Sequence, residues 1–149
     1  MDFEALGTTP VAQDNPAGED ARYEPEFEEL ETEIGKLNSP TASSGVEWDK
    51  VIELSSKILA EKSKNLLVAC YLSIGLMKRD DLEGLAEGVH VIRTMLDTFW
   101  DSLYPPKKRM RGRLNAVEWW MEKIDAELEG HDTVTWLKDK RDNLSLIHI

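Results

Sequence analysis

The sequence is poor in the residues that most chemistry needs. It holds one cysteine, Cys70, and three histidines in 149 residues. An internal disulfide is therefore excluded, and a single thiol fits a reducing compartment. There is no glycine-rich phosphate loop and no run of eighteen apolar residues. The opening MDFEALGTTP lacks both a basic n-region and an apolar h-region, so neither a spanning helix nor a signal peptide is expected. Basic residues are also short: 18 Lys+Arg stand against 29 Asp+Glu, a formal charge of −11. That balance lacks the cationic surface whose counterion release drives nucleic-acid binding, and it is repelled by anionic lipid. The expectation is a cytoplasmic protein with no nucleic-acid partner and no membrane insertion. Period-two alternation and fixed-period repeats are missing as well, which leaves an all-α class.

What is present is helical periodicity. Residues 1–20, with Gly7, Pro10, Pro16 and Gly18, read as an extended N-terminal arm, which Arg22 and Tyr23 would tack onto the bundle. Residues 21–130 read as one helical domain, and 131–149 as a further helical segment or the start of a linker. Glu24-Pro25 suits a helix start, followed by Phe27, Leu30, Ile34 and Leu37 with glutamates on the remaining faces. A second helix begins near Glu47 with Trp48, Val51, Ile52, Ile58 and Leu59 on one stripe. Ser63 is the expected cap of a third, whose run Leu66 to Leu76 has almost no polar face and so belongs at the centre of the domain. Asp80 and Glu83 have capping-box spacing and open a fourth helix, Leu82 to Phe99. There Phe99 and Trp100 are expected to close the core, before Pro105 and Pro106 stop the helix. A fifth helix buries Leu114, Val117, Met121, Ile124 and Leu128 and is closed by Gly130. Asp132 opens a sixth piece with Val134, Trp136 and Leu137. The expected fold is an all-α bundle of five to six helices.

Charge is polarised. Residues 1–36 carry eleven acids against two bases, a balance of −9, whereas Lys107, Lys108, Arg109, Arg111 and Arg113 place five bases within 107–113. Three readings fit that cluster: counter-charge for the acidic first helix, a docking site for an acidic partner, or nucleic acid. The third is the weakest, because only Tyr104 offers a stacking ring beside it. Trp119 and Trp120 point about 100° apart on a helix. Trp119 falls on the polar side with Lys123, where it is either covered by another segment or an anchor for a partner.

Catalytic signals are few. Glu87 and His90 have the E-x-x-H spacing of carboxylate-bridged di-metal bundles. Such sites need a second copy, and neither His131 nor His148 has a glutamate three residues before it. Cys70 sits in the most apolar helix, where burial raises a thiol pKa. No catalytic residue, metal or cofactor is expected; a helical metal- or ligand-binding enzyme domain using Glu87 and His90 is the alternative.

Four blocks, PAGEDARYEPEFEEL (16–30), VEWDKVIELSSKILAEKSKNLLVACYLSIGL (46–76), FWDSLYPP (99–106) and RLNAVEWW (113–120), together resemble the ImpA-type N-terminal domain of TssA-like type VI secretion proteins. The resemblance spans roughly residues 14–128. It implies a non-enzymatic, all-helical interaction module at the front of a longer cytoplasmic protein of Gram-negative bacteria. Its implied partners are tail, baseplate or sheath components, and the longer protein would be a homo-oligomer through a C-terminal region missing here. The apolar finish SLIHI fits a truncated chain. The resemblance supplies no catalytic residues. The candidate partner contacts are Trp119, Lys123, Lys107, Lys108, Arg109, Arg111 and Arg113, together with the acidic face of the first helix.

Overall fold

A computed structural model describes residues 3–38 and 45–129. Four α-helices occur among them: α1 (Pro25–Gly35), α2 (Trp48–Glu61), α3 (Leu66–Phe99) and α4 (Met110–Glu129). α1 packs on α2, α2 on α3, and α3 on α4. The described residues contain no β-strand, and none of their helices is long and apolar enough to cross a membrane. The all-α class agrees with the periodicity. The expected sixth piece, the Gly130 cap and Trp136 lie outside the described residues.

α3 is the centre of the domain. Its backbone breaks at Asp81 (φ 56°, ψ −132°), beside the expected capping box, and the two halves fold back on each other. Two glycines permit the close approach: a Cβ on Gly84 would stand 1.8 Å from the Leu76 carbonyl oxygen, and one on Gly88 would stand 2.5 Å from the Ser73 side chain. In the first half every side chain from Leu66 to Met77 is buried except the half-buried Leu67. The cap is not Ser63. Asn65 takes that place, its side chain accepting from Val68 N at 3.1 Å, because residues 63–65 are bridged to Gly18 on one side and Tyr104 on the other.

Residues 3–20 are turn-rich, not extended. Successive turns such as Leu6 N to Phe3 O and Thr9 N to Ala5 O fold them, and Phe3, Leu6 and Ala17 enter the core. Arg22 and Tyr23 do not tack this segment down. Arg22 pairs locally with Asp20 at 2.8 Å and lies over the Tyr23 ring, and Tyr23 is 82% exposed.

α4 presents a different face from the expected one. Leu114 is 48% and Met121 54% exposed, while Arg113 and Ala116 are the residues it buries fully. Inward polar groups are tolerated there because acceptors await them: Trp120 Nε1 donates to Ser73 Oγ at 2.9 Å, and Arg113 donates to backbone carbonyls.

Candidate docking site

Three of the quoted sequence blocks meet at residues 62–66, the link between α2 and α3. Glu19 N donates to Lys62 O, Lys64 N to Ala17 O, Tyr104 N to Lys64 O and Leu66 N to Tyr104 O. The turn before it requires Gly18, whose φ of +74° suits glycine and whose Cβ would stand 2.1 Å from Lys62 O. Tyr104 Oη donates to Gly18 O at 3.3 Å. Lys64 completes the junction. It is wholly buried, donates from Nζ to Leu6 O at 2.6 Å and Leu59 O at 2.8 Å, and lies 5.6 Å from the Phe99 ring centroid. Burial pushes its ammonium down to about 8. Nothing in the sequence marks Lys64 as interior, since a lysine ahead of an apolar run ordinarily reads as a solvated helix end.

The basic cluster divides. Arg113, a candidate partner contact by sequence, is 2% exposed and turned inward. Its Nε donates to Pro105 O at 2.7 Å, its Nη2 to Leu103 O at 3.0 Å, and its guanidinium stacks 4.7 Å from the Trp100 ring centroid. Burial lowers its pKa, partly offset by Asp101. The reason is geometric: the loop after α3 leaves carbonyls unpaired, and a planar fork satisfies two of them at once. Trp100, expected in the core, is instead 40% exposed and carries Arg113 on its face. Lys107 pairs with Asp101 at 2.9 Å. Lys108, Arg109 and Arg111 are exposed, and Arg109 adds to the charges that hold the Asp20 carboxyl low. Burial would raise that carboxyl, but the Arg22 guanidinium and backbone N–H outweigh it.

Trp119 is half-buried, edge-on to Tyr71 at 4.9 Å between centroids, with Lys123 Nζ 5.8 Å from its own ring centroid. Tyr71 Oη in turn donates to Glu31 on α1. The acidic first helix is therefore tied to the domain, and at Glu33 most strongly. That carboxylate is 2% exposed and accepts from Glu47 N at 2.9 Å and Lys36 Nζ at 3.1 Å. Burial pushes Glu33 up, yet these donors and Lys50 hold it below the usual range.

The enzyme alternative gains no support. Glu87 is exposed and His90 half-buried on the second half of α3. No group of three or more His, Cys, Asp or Glu that could hold a metal gathers among the described residues. Cys70 is buried, and burial pushes its thiol up to about 12, far from a nucleophile's range.

With this geometry in view, comparison with known proteins is decisive. The family described as ImpA, N-terminal, type VI secretion system matches residues 8–122. The chain belongs to that family. It is 34% identical over 103 residues to type VI secretion system component TssA1 of Pseudomonas aeruginosa, a match covering 64% of this chain and 29% of that protein. The ImpA N-terminal domain described here thus corresponds to less than a third of its relative's length. A solved N-terminal domain of the TssA component from Burkholderia cenocepacia, including the conserved ImpA_N region, superimposes with a TM-score of 0.68 at 24% identity, over 80% of this chain and 47% of that one. The fold of the ImpA N-terminal domain is thus shared. Three of the four blocks meet in the junction at 62–66, and the fourth reaches it indirectly, Arg113 holding the carbonyls of Leu103 and Pro105 on either side of Tyr104.

Proposed function

We propose that this domain is a non-enzymatic docking module of a type VI secretion assembly protein, acting in the bacterial cytoplasm on tail, baseplate or sheath components. The observation that carries the reading is the family match across residues 8–122. The scaffold it falls on commits its inward cations, Lys64 and Arg113, to backbone carbonyls and leaves Lys108, Arg109 and Arg111 exposed at one end. Such exposed cations suit recognition of an acidic surface by steering and register. Trp119 with Lys123 forms a second, half-buried contact, of the aromatic type that anchors interfaces. Further chain beyond this domain, as in its longer relative, would supply homo-oligomerisation.

The test is binding of the chain to each purified tail, baseplate and sheath component. Lys108→Glu combined with Arg109→Glu is expected to weaken at least one of these interactions about tenfold, with a steeper salt dependence in the native chain. Trp119→Ala is expected to weaken the same or a second one. Native binding of every component by both variants would overturn the docking assignment.

A further inference from the structure

α4 carries an unusual combination on its outer side. Met110, Leu114, Val117, Met121, Ile124 and Leu128 recur at spacings of four and three, which is the seam of a coiled coil. Met110, Leu114 and Met121 are 36%, 48% and 54% exposed. Val117, Ile124 and Leu128 are half-buried, and Val117 packs against the core, so the seam adjoins the face that buries Arg113 and Ala116 and its open edge is Met110, Leu114 and Met121.

The charges on the helix run against its own dipole. A helix N-terminus favours acids and a C-terminus favours bases. α4 has no acid in its first turn and no base in its last. Instead Lys108, Arg109 and Arg111 crowd its start, while Glu118, Glu122, Asp125 and Glu129 line a shallow acidic groove with Met121 and Ala126 toward its end. That order is unfavourable for the helix alone. It is favourable for a neighbour lying antiparallel, which would set basic start against acidic end at both sites.

We propose that the domain self-associates through α4, two copies pairing antiparallel about a two-fold axis near residues 117–121. The heptad register fixes the layers: Met110 meets Leu128 of the second copy, Leu114 meets its Ile124, and Val117 meets its Met121. In an antiparallel pair the residue after each Met110-type position faces its equivalent on the other helix. Arg111 therefore faces Asp125 of the second copy, and the pair occurs twice by symmetry. The same rule sets Glu118 against Glu118 of the second copy on the axis, one like-charge contact against two Arg111–Asp125 pairs, and this net charge complementarity selects a second copy of the chain as the occupant of the seam.

Sedimentation equilibrium of the 149-residue chain is expected to show a concentration-dependent dimer. Leu114→Glu with Met121→Glu is expected to give a monomer at every concentration, with native helicity by circular dichroism because both positions are exposed. Arg111→Glu is expected to raise the dimer dissociation constant about tenfold, since two pairs are reversed at once. Adding Asp125→Arg to that variant is expected to restore it. A chain that stays monomeric to about 1 mM, a dimer that survives Leu114→Glu with Met121→Glu, or a charge swap that fails to restore pairing would each overturn the proposal. None of these outcomes depends on binding to a secretion component, so docking and self-pairing stand or fall separately.

Discussion

The first half of α3 and the whole of α4 both show apolar residues at helical spacing, yet they meet opposite surroundings. Between Leu66 and Met77 the helix is covered by α2, by its own second half and by α4, and only Leu67 reaches partway to solvent. α4 buries Arg113 and Ala116 and leaves Leu114 and Met121 outside. Periodicity says that a helix has an apolar face; it does not say whether the domain or something else covers it. The contrast breaks most sharply on removal of a single leucine. Leu72→Ala, at a position with no exposure, is expected to lower unfolding free energy by about 2–5 kcal/mol through lost transfer energy and a cavity. Leu114→Ala at high dilution is expected to stay within about 0.5 kcal/mol. Urea unfolding of the two variants decides it, and equal losses would mean that α4 is covered within one chain.

The same contrast runs through the basic cluster. Arg113→Ala strips the donors from Leu103 O and Pro105 O and the cation from Trp100, an expected loss of about 1–3 kcal/mol for the unpaired carbonyls. Lys108→Ala, on the exposed side of the same run, is expected to stay within about 0.5 kcal/mol. Arg113→Lys sharpens the comparison, because an ammonium has no planar fork to serve both carbonyls. Recovery of full stability in that variant would show that charge, not geometry, holds the loop.

Much of the skeleton was legible because local rules decide it. Pro25 at the first helical position, the break beside Asp80 and the stop before Pro105 follow from backbone chemistry alone. The unbroken apolar run of the first half of α3 placed it at the centre for the same reason. What the residues did not disclose depends on carbonyls supplied from far along the chain. Asn65 displaced Ser63 as the cap because Ala17 and Tyr104 hold residues 63–65 extended. Arg113 went inside because Leu103 and Pro105 offered acceptors. Of the candidate contacts, Lys108, Arg109 and Arg111 are exposed, while Trp119 found Tyr71, some fifty positions earlier in the chain, which no periodicity encodes.

Lys64 sets the last term of the comparison, a cation inside the domain as against those on α4. Two forces oppose each other there: Leu6 O, Leu59 O and the Phe99 ring favour the ammonium, while burial favours the amine. Burial prevails, so the folded chain loses this proton at about 8 and the unfolded chain at the ordinary 10.5. Between those values the unfolded state binds more protons, and stability must therefore rise with pH. Below about 8 both states are protonated and the cost of the buried charge is constant. Relative to Lys64→Met, the native chain is thus expected to gain stability from pH 8 to 10.5 and to show no change in the difference below 8, read as the shift in urea midpoint between the two proteins. A difference that stays flat throughout, or falls with pH, would mean that the two carbonyls and the ring outweigh burial, and that Lys64 pins residues 3–18 as a fully charged group.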